Sequence, residues 1–171
     1  MWAMRELKLA ALSSVYAVRR LDRGDVEAIL ALCRSNSQYY AYCGKEASVE
    51  QIEQDLTIVP PGIPAEQKYY VGFFEGAELA AVMDLVDGYP EEGCAFIGLF
   101  MLHGRLQGRG VGSEIMAEVF AYLRKREIRR CQLGIDKDNP QSNRFWKKNG
   151  FAVIREVSTD DGTILLAEKE L

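Results

Sequence analysis

Several things are scarce in this chain of 171 residues. There is one histidine, His103, which excludes a multi-histidine metal site. The four cysteines, Cys33, Cys43, Cys94 and Cys131, form no C-x-x-C pair and no zinc-like spacing. They are expected to be reduced thiols in or near the core, as in a cytoplasmic protein. No apolar run approaches the ~20 residues of a membrane span. The start, Met1-Trp2-Ala3-Met4-Arg5-Glu6, has no long apolar stretch and no small-residue cleavage site, so no secretory signal is expected there, and Met1 and Met4 are equal candidates for the natural start. There is no positive excess: 21 Lys and Arg face 25 Asp and Glu, a net charge of −4. That excludes a general nucleic-acid binder and leaves room for one local basic pocket. Internal repeats and low-complexity linkers are also missing.

What is present is ordinary globular material, 48% hydrophobic and 27% charged, enough for one core without disulfide staples. We expect one domain over 1–171, with its core from residue 16 onward. Tyr16 to Leu21 reads as a first strand. Asp22 is placed as an N-cap before Val26, Ile29, Leu30 and Cys33 at helical spacing. Residues 35–44 are polar and aromatic and end in glycine. Ser48 and Gln51 make a capping-box pattern opening a short helix, and Pro60 to Pro64 is a break. The period then changes. Lys68 to Phe74 and Glu78 to Asp87 read as a hairpin. Cys94 to Leu102, nearly continuous in apolar residues, reads as a central strand buried on both faces. A helix follows through Val111, Ile115, Val119 and Leu123, then a strand with Cys131, Leu133 and Ile135 on one face. Asn139-Pro140 opens a last helix that Gly150 ends, and a closing hairpin turns at Asp160-Asp161-Gly162. The order predicts a mixed α/β sheet.

Between the apolar strand and its helix lies Gln107-Gly108-Arg109-Gly110-Val111-Gly112. Strand, glycine-rich turn and helix make an anion cradle, because the first helical amides have no intrahelical partner and glycine lets a phosphate approach the backbone. Arg105 and Arg109 are expected to add charge beside it. The same glycines also suit a tight turn with no ligand. A Walker A loop would need Gly-Lys-Ser/Thr, which is missing. A strict G-x-G-x-x-G fails because the third glycine stands at 112 rather than 113. Asp136 nevertheless stands roughly where a dinucleotide fold places its ribose acid, so a dinucleotide-binding oxidoreductase remains an alternative.

The loop is similar to the Gln/Arg-x-x-Gly-x-Gly/Ala signature of the GNAT superfamily of N-acetyltransferases. A second motif, Asn139-Pro140-Gln141-Ser142-Asn143-Arg144-Phe145-Trp146-Lys147-Lys148-Asn149-Gly150-Phe151, resembles that family's Asn-x-x-Ala-x-x-Phe-Tyr-x-x-x-Gly-Phe. The resemblance is strongest over 94–151, the acetyl-CoA-binding half. It implies a mixed, mostly antiparallel sheet flanked by helices, with two splayed strands forming an acyl-CoA cleft. It further implies acetyl-CoA as co-substrate, no metal, and direct transfer to an amine of a small molecule or protein. Main chain of Phe100, Met101 and Leu102 would pair with the pantetheine arm. Amides of Gln107, Gly108, Arg109, Gly110, Val111, Gly112 and Ser113 would wrap the pyrophosphate. Asn139, Ser142 and Asn143 would line the other side, and Phe145 and Trp146 would pack near the thioester. Tyr39, Tyr40 and Tyr42 lie in the segment that covers the acceptor in that family. Dimers are common there.

Two departures bear on chemistry. Many relatives carry a tyrosine acid at the position of Trp146, and an indole N–H is no acid in the useful range. Many also carry a glutamate near Gly98. Asp84, Asp87, Glu91 and Glu92 are the base candidates, with Asp84 preferred because Val82, Met83 and Leu85 around it are apolar. Those four carboxylates near the mouth would favour a cationic acceptor. His103 is expected to be structural. A non-catalytic acyl-CoA-binding module is the other alternative these departures permit.

Overall fold

The computed structural model describes residues 6–171 apart from the side chain of Cys43, so the Met1 and Met4 starts and that thiol lie outside the described residues. Twelve helices and strands follow in order among the described residues: β1 Ala17–Arg20, α1 Val26–Arg34, α2 Ser37–Cys43, α3 Val49–Thr57, β2 Lys68–Glu75, β3 Glu78–Asp87, β4 Cys94–Leu102, α4 Val111–Lys125, β5 Arg130–Asp136, α5 Pro140–Lys148, β6 Ala152–Thr159 and β7 Gly162–Glu170. The seven strands form one sheet in the order β1-β2-β3-β4-β5-β7-β6. Strands β4 and β5 pair in parallel; the other neighbours in that order are antiparallel. A doubly wound dinucleotide fold is mostly parallel, and this sheet is not one.

Both faces are covered. The α4 stripe of Ile115, Met116, Val119 and Leu123 packs on Val71, Phe73, Met83 and Leu85. On the other face α1 (Ile29, Leu30, Cys33) and α3 (Ile52) pack on Tyr70, Val82 and Met101. Each such buried aliphatic side chain contributes about 1.5–3 kcal/mol, so these stripes fix which way each helix faces.

Local signals account for the element ends. Asp22 accepts from Gly24 N–H at 2.8 Å and closes a capping box with Asp25, but around a 3-10 turn that leads into α1. Ser48 Oγ accepts from Gln51 N–H, whereas the Gln51 side chain turns forward to Asp55, so the box is half made. Residues 37–43 form a helix that periodicity does not announce, ended by Gly44 in the left-handed region. Glycine is suited there because a Cβ would be strained. At the end of α4, Ile128 N–H donates to Leu123 C=O and Glu127 N–H to Arg124 C=O, a Schellman motif whose left-handed position (φ 64) holds glutamate. Glu127→Gly is therefore expected to stabilise the protein by about 0.5–1 kcal/mol. Thermal unfolding should show a rise in Tm of about 1–4 °C.

β4 differs from its expected role as a strand buried on both faces. Cys94, Ala95 and Ile97 are buried, but Gly98 is exposed and Leu99, Phe100 and Leu102 are half-buried. The apolar run continues because its second half walls a cleft.

Candidate active site

The cleft begins where β4 and β5 part. They pair from Cys94↔Arg130 to Ile97↔Leu133 and no further. Beyond that point β4 stays with β3 as far as Leu102↔Ala81, and β5 stays with β7 as far as Asp136↔Ile164. The cause is a β-bulge. Asp84 pairs with Leu99 and Leu85 with Ile97, so Gly98 is the extra residue. An extra residue bends its strand and sharpens the twist, which turns β4 away from β5. His103 N–H bonds Ala80 C=O on β3. By the antiparallel alternation, Phe100 and Leu102 then turn their backbone groups toward the gap. The Leu102 carbonyl is already engaged by the Asn36 side-chain amide at 3.0 Å and that of Gln107 at 3.1 Å.

The cleft has a volume of about 340 Å³. One wall is Phe100, Met101 and Leu102 of β4. The floor is Gln107, Gly108, Gly110, Val111, Gly112 and Ser113. The opposite wall is Gln141, Ser142, Phe145 and Trp146 of α5. Gly108 and Gly110 have φ of +75° and +78°, and no described residue stands within 4 Å of where their Cβ atoms would be. The backbone there is bare toward open space. No side chain among the described residues caps α4, so its first amides and dipole are available to an anion. A Cβ on Gly112 would stand 3.1 Å from the Phe145 ring, so glycine lets that ring close on the helix start. Phe100 stacks on Phe145 at 6.0 Å, and Trp146 packs edge-on to both.

Other predicted residues are placed differently. Arg109 is exposed and does not line the cleft. Arg105 is turned to Glu78 at 3.0 Å and Glu75 at 3.8 Å on the β2–β3 hairpin, so opposite charge draws it away from the glycine loop. Asn139 is buried, and its Oδ1 accepts from Ser142 N–H at 3.1 Å. The Asn143 amide donates to the carbonyls of Asp136 and Asn139. Both are tied into the start of α5 and are not among the lining residues. His103 Nδ1 accepts from Arg105 N–H, capping a 3-10 turn at Gly104–Leu106.

The three tyrosines part company. Tyr39 lines the cleft. Tyr40 is hydrogen-bonded with Cys33, and burial raises its pKa. Tyr42 is exposed. Asn36, Gln141 and Lys148 also line the cleft, and sequence reasoning missed them. Lys148 sits inside the second motif, where a cation just before the closing glycine is a usable signal. Asn36 carries no such signal, since it reaches Leu102 across the fold.

Of the four candidate carboxylates, Asp84 alone stands at the splay. Asp87 pairs with Ala95, at the far end of β4. Glu91 pairs with Arg130, and Glu92 lies beside Gly93, Arg124 and Arg129. At about 3.3 Å per residue, the Cys94 end is about 20 Å from Phe100, so these acids do not surround the cleft mouth. Asp84 Oδ2 takes the Lys68 ammonium at 2.9 Å, with side-chain exposures of 13% and 4%. A Cβ on Gly98 would lie 2.8 Å from that oxygen, so the Asp84 carboxylate fills the space a Gly98 side chain would need. Burial pushes the Asp84 carboxyl above the usual carboxylate range; the Lys68 hydrogen bond and charge pull it back without cancelling the effect. Asp84 is not itself a lining residue of the cleft.

The sequence profile of the acetyltransferase (GNAT) family matches residues 29–151. No curated protein matches by sequence. Among solved structures, an acetyltransferase from Thermus thermophilus is 23% identical with TM-score 0.72, over 92% of this chain and 99% of that one. An acetyltransferase from Salmonella typhimurium that modifies the N-terminal serine of ribosomal protein L7/L12 is 20% identical with TM-score 0.70, over 94% and 97%. The PaiA N-acetyltransferase of Thermoplasma acidophilum, in complex with coenzyme A, is 20% identical with TM-score 0.64, over 90% and 98%.

Proposed function

The chain belongs to the acetyltransferase (GNAT) family, and we propose on that basis that it moves an acetyl group from acetyl-CoA to a primary amine of a small molecule or protein, in one transfer between two bound substrates. The observation that carries this reading is the cleft. A strand leaves its neighbour at a glycine bulge and leads, through the Gly104–Leu106 turn and the glycine loop, to a helix start that no side chain among the described residues caps.

The parts suit the ligand. Outward backbone groups of Phe100 and the Leu102 amide can take a pantetheine arm as a sheet edge takes a strand. Amides from Gly108 to Ser113 suit a diphosphate, and Lys148 brings a cation to the same cleft. Ser142, Phe145 and Trp146 close the other side. The amine nitrogen bonds the thioester carbon, the C–S bond breaks, and sulfur keeps the pair and takes a proton. Asp84 is the base that removes the ammonium proton beforehand. The Trp146 indole cannot supply the thiol proton. Holding acetyl-CoA in the cleft and the amine beside it, at the bulge where Asp84 stands, makes the step effectively intramolecular. The protein acts in the cytoplasm in this reading.

Free-thiol release from acetyl-CoA tests it, with a panel of small amines and a peptide beginning with serine as acceptors. Release is expected with at least one amine. Acetyl-CoA at 100 times its Kd should add about 2.7 kcal/mol of stability, visible as a higher Tm. A raised Tm without thiol release from any amine would mark a binding module instead.

A further inference from the structure

We propose that Lys68 is the positioning residue of Asp84: its buried ammonium holds the carboxylate at the Gly98 bulge, where the cleft opens. This rests on the acyl-transfer reading and on Asp84 as its base.

The geometry is that of a diagonal cross-strand pair. Tyr70 stands opposite Asp84 and Lys68 opposite Val86, so Lys68 and Asp84 lie two residues apart on one face, within reach of a long side chain. Lys68 is at the start of β2, its carbonyl taken by Arg20 at 2.8 Å, which anchors the backbone from which its side chain reaches. Its Nζ lies 2.9 Å from Asp84 Oδ2 and 5.9 Å from the Tyr70 ring centre. A lysine this buried is rare unless paired. Asp84 Oδ1 is buried and has no hydrogen-bond partner among the described residues. A pair serving only stability would be expected to satisfy both oxygens, because an orphaned buried acceptor costs about 1–3 kcal/mol.

The charged and titratable groups around Asp84 are Lys68 and Tyr70 on β2 and Asp55 on α3, with Cys33 of α1 beside Tyr70. From β4 it meets Gly98 and Leu99, which do not titrate. Lys68 is thus the one cation of this group among the described residues. Asp55 and burial both favour a protonated Asp84, and Lys68 opposes them. A base must be ionised to work, so loss of Lys68 should require a higher pH for activity.

The test is the pH profile of kcat/KM, read by thiol release, for wild type, Lys68→Met and Lys68→Arg. In Lys68→Met the acid limb should move at least one pH unit upward, about a tenfold loss on that limb that is recovered as pH rises. Lys68→Arg should keep the limb near its wild-type place. If Lys68→Met does not fold, Asp84→Asn is compared with Lys68→Met/Asp84→Asn, which carries no buried charge pair. Equal kcat in the two, both at least tenfold below wild type, supports the assignment, since Lys68 then acts only through Asp84; equal kcat near the wild-type value overturns it. An unmoved limb in Lys68→Met, or a double variant at least tenfold slower than Asp84→Asn, overturns it. Wild-type protein that releases no thiol with any amine overturns the acyl-transfer reading, and this assignment with it.

Discussion

Replacing Asp84 with asparagine is expected to lower turnover at saturating amine by about 10²–10⁴-fold, the span of a general base's contribution. Asparagine keeps the shape and one acceptor for the Lys68 ammonium, so the change removes charge more than contact. Acetyl-CoA binding should be unchanged, because Asp84 does not line the cleft. Stability should fall, since breaking a buried pair strands the remaining charge at about 3–5 kcal/mol. Turnover and acetyl-CoA affinity are therefore measured below the variant's own Tm. Turnover within twofold of wild type would show that Asp84 serves only as Lys68's counter-ion.

The second large effect is expected at Gly104, just past β4. Its N–H donates to Ser35 Oγ at 2.9 Å, and a Cβ there would stand 2.3 Å from the Ser35 carbonyl oxygen. That neighbour is backbone and cannot swing aside. Gly104→Ala must push the β4 exit away from the α1–α2 junction, the same junction that Asn36 spans to Leu102. The cost should reach about 3 kcal/mol, the upper part of the overpacking range. That is a fall in Tm of about 6–12 °C for a chain of this size. The cleft wall moves with it, so acetyl-CoA should bind more weakly. A Tm within 2 °C of wild type would mean that the junction yields easily and does not set the cleft.

Much of the fold is legible residue by residue because its causes are local. The β2–β3 hairpin turns at Glu75-Gly76-Ala77, Asn139 caps α5 from three residues away, and the α4 stripe repeats at helical spacing. Helix α2 is hidden because it spans only seven residues, too few to show a period, and needs tertiary support to form. The glycine loop can be found from sequence, but not which cations attend it. Arg105 is in the right place along the chain and is claimed by Glu78, a partner 27 residues away.

The order of elements, the glycine-rich helix start after an apolar strand, and the resemblance that two motifs carry are all written in the chain itself. They depend on neighbours within about four residues, which caps, turns and periodicity read directly. Where the sheet opens, and which carboxylate stands there, follow instead from contacts between distant segments. Gly98 looks like any small residue in an apolar run until strand register makes it the bulge. Lys68 and Asp84 meet because a hairpin register places positions 16 residues apart on one face. The single histidine leaves catalysis without an obvious base, and the aspartate we propose for that role, Asp84, is marked by no motif and stands out only once the fold buries it beside Lys68.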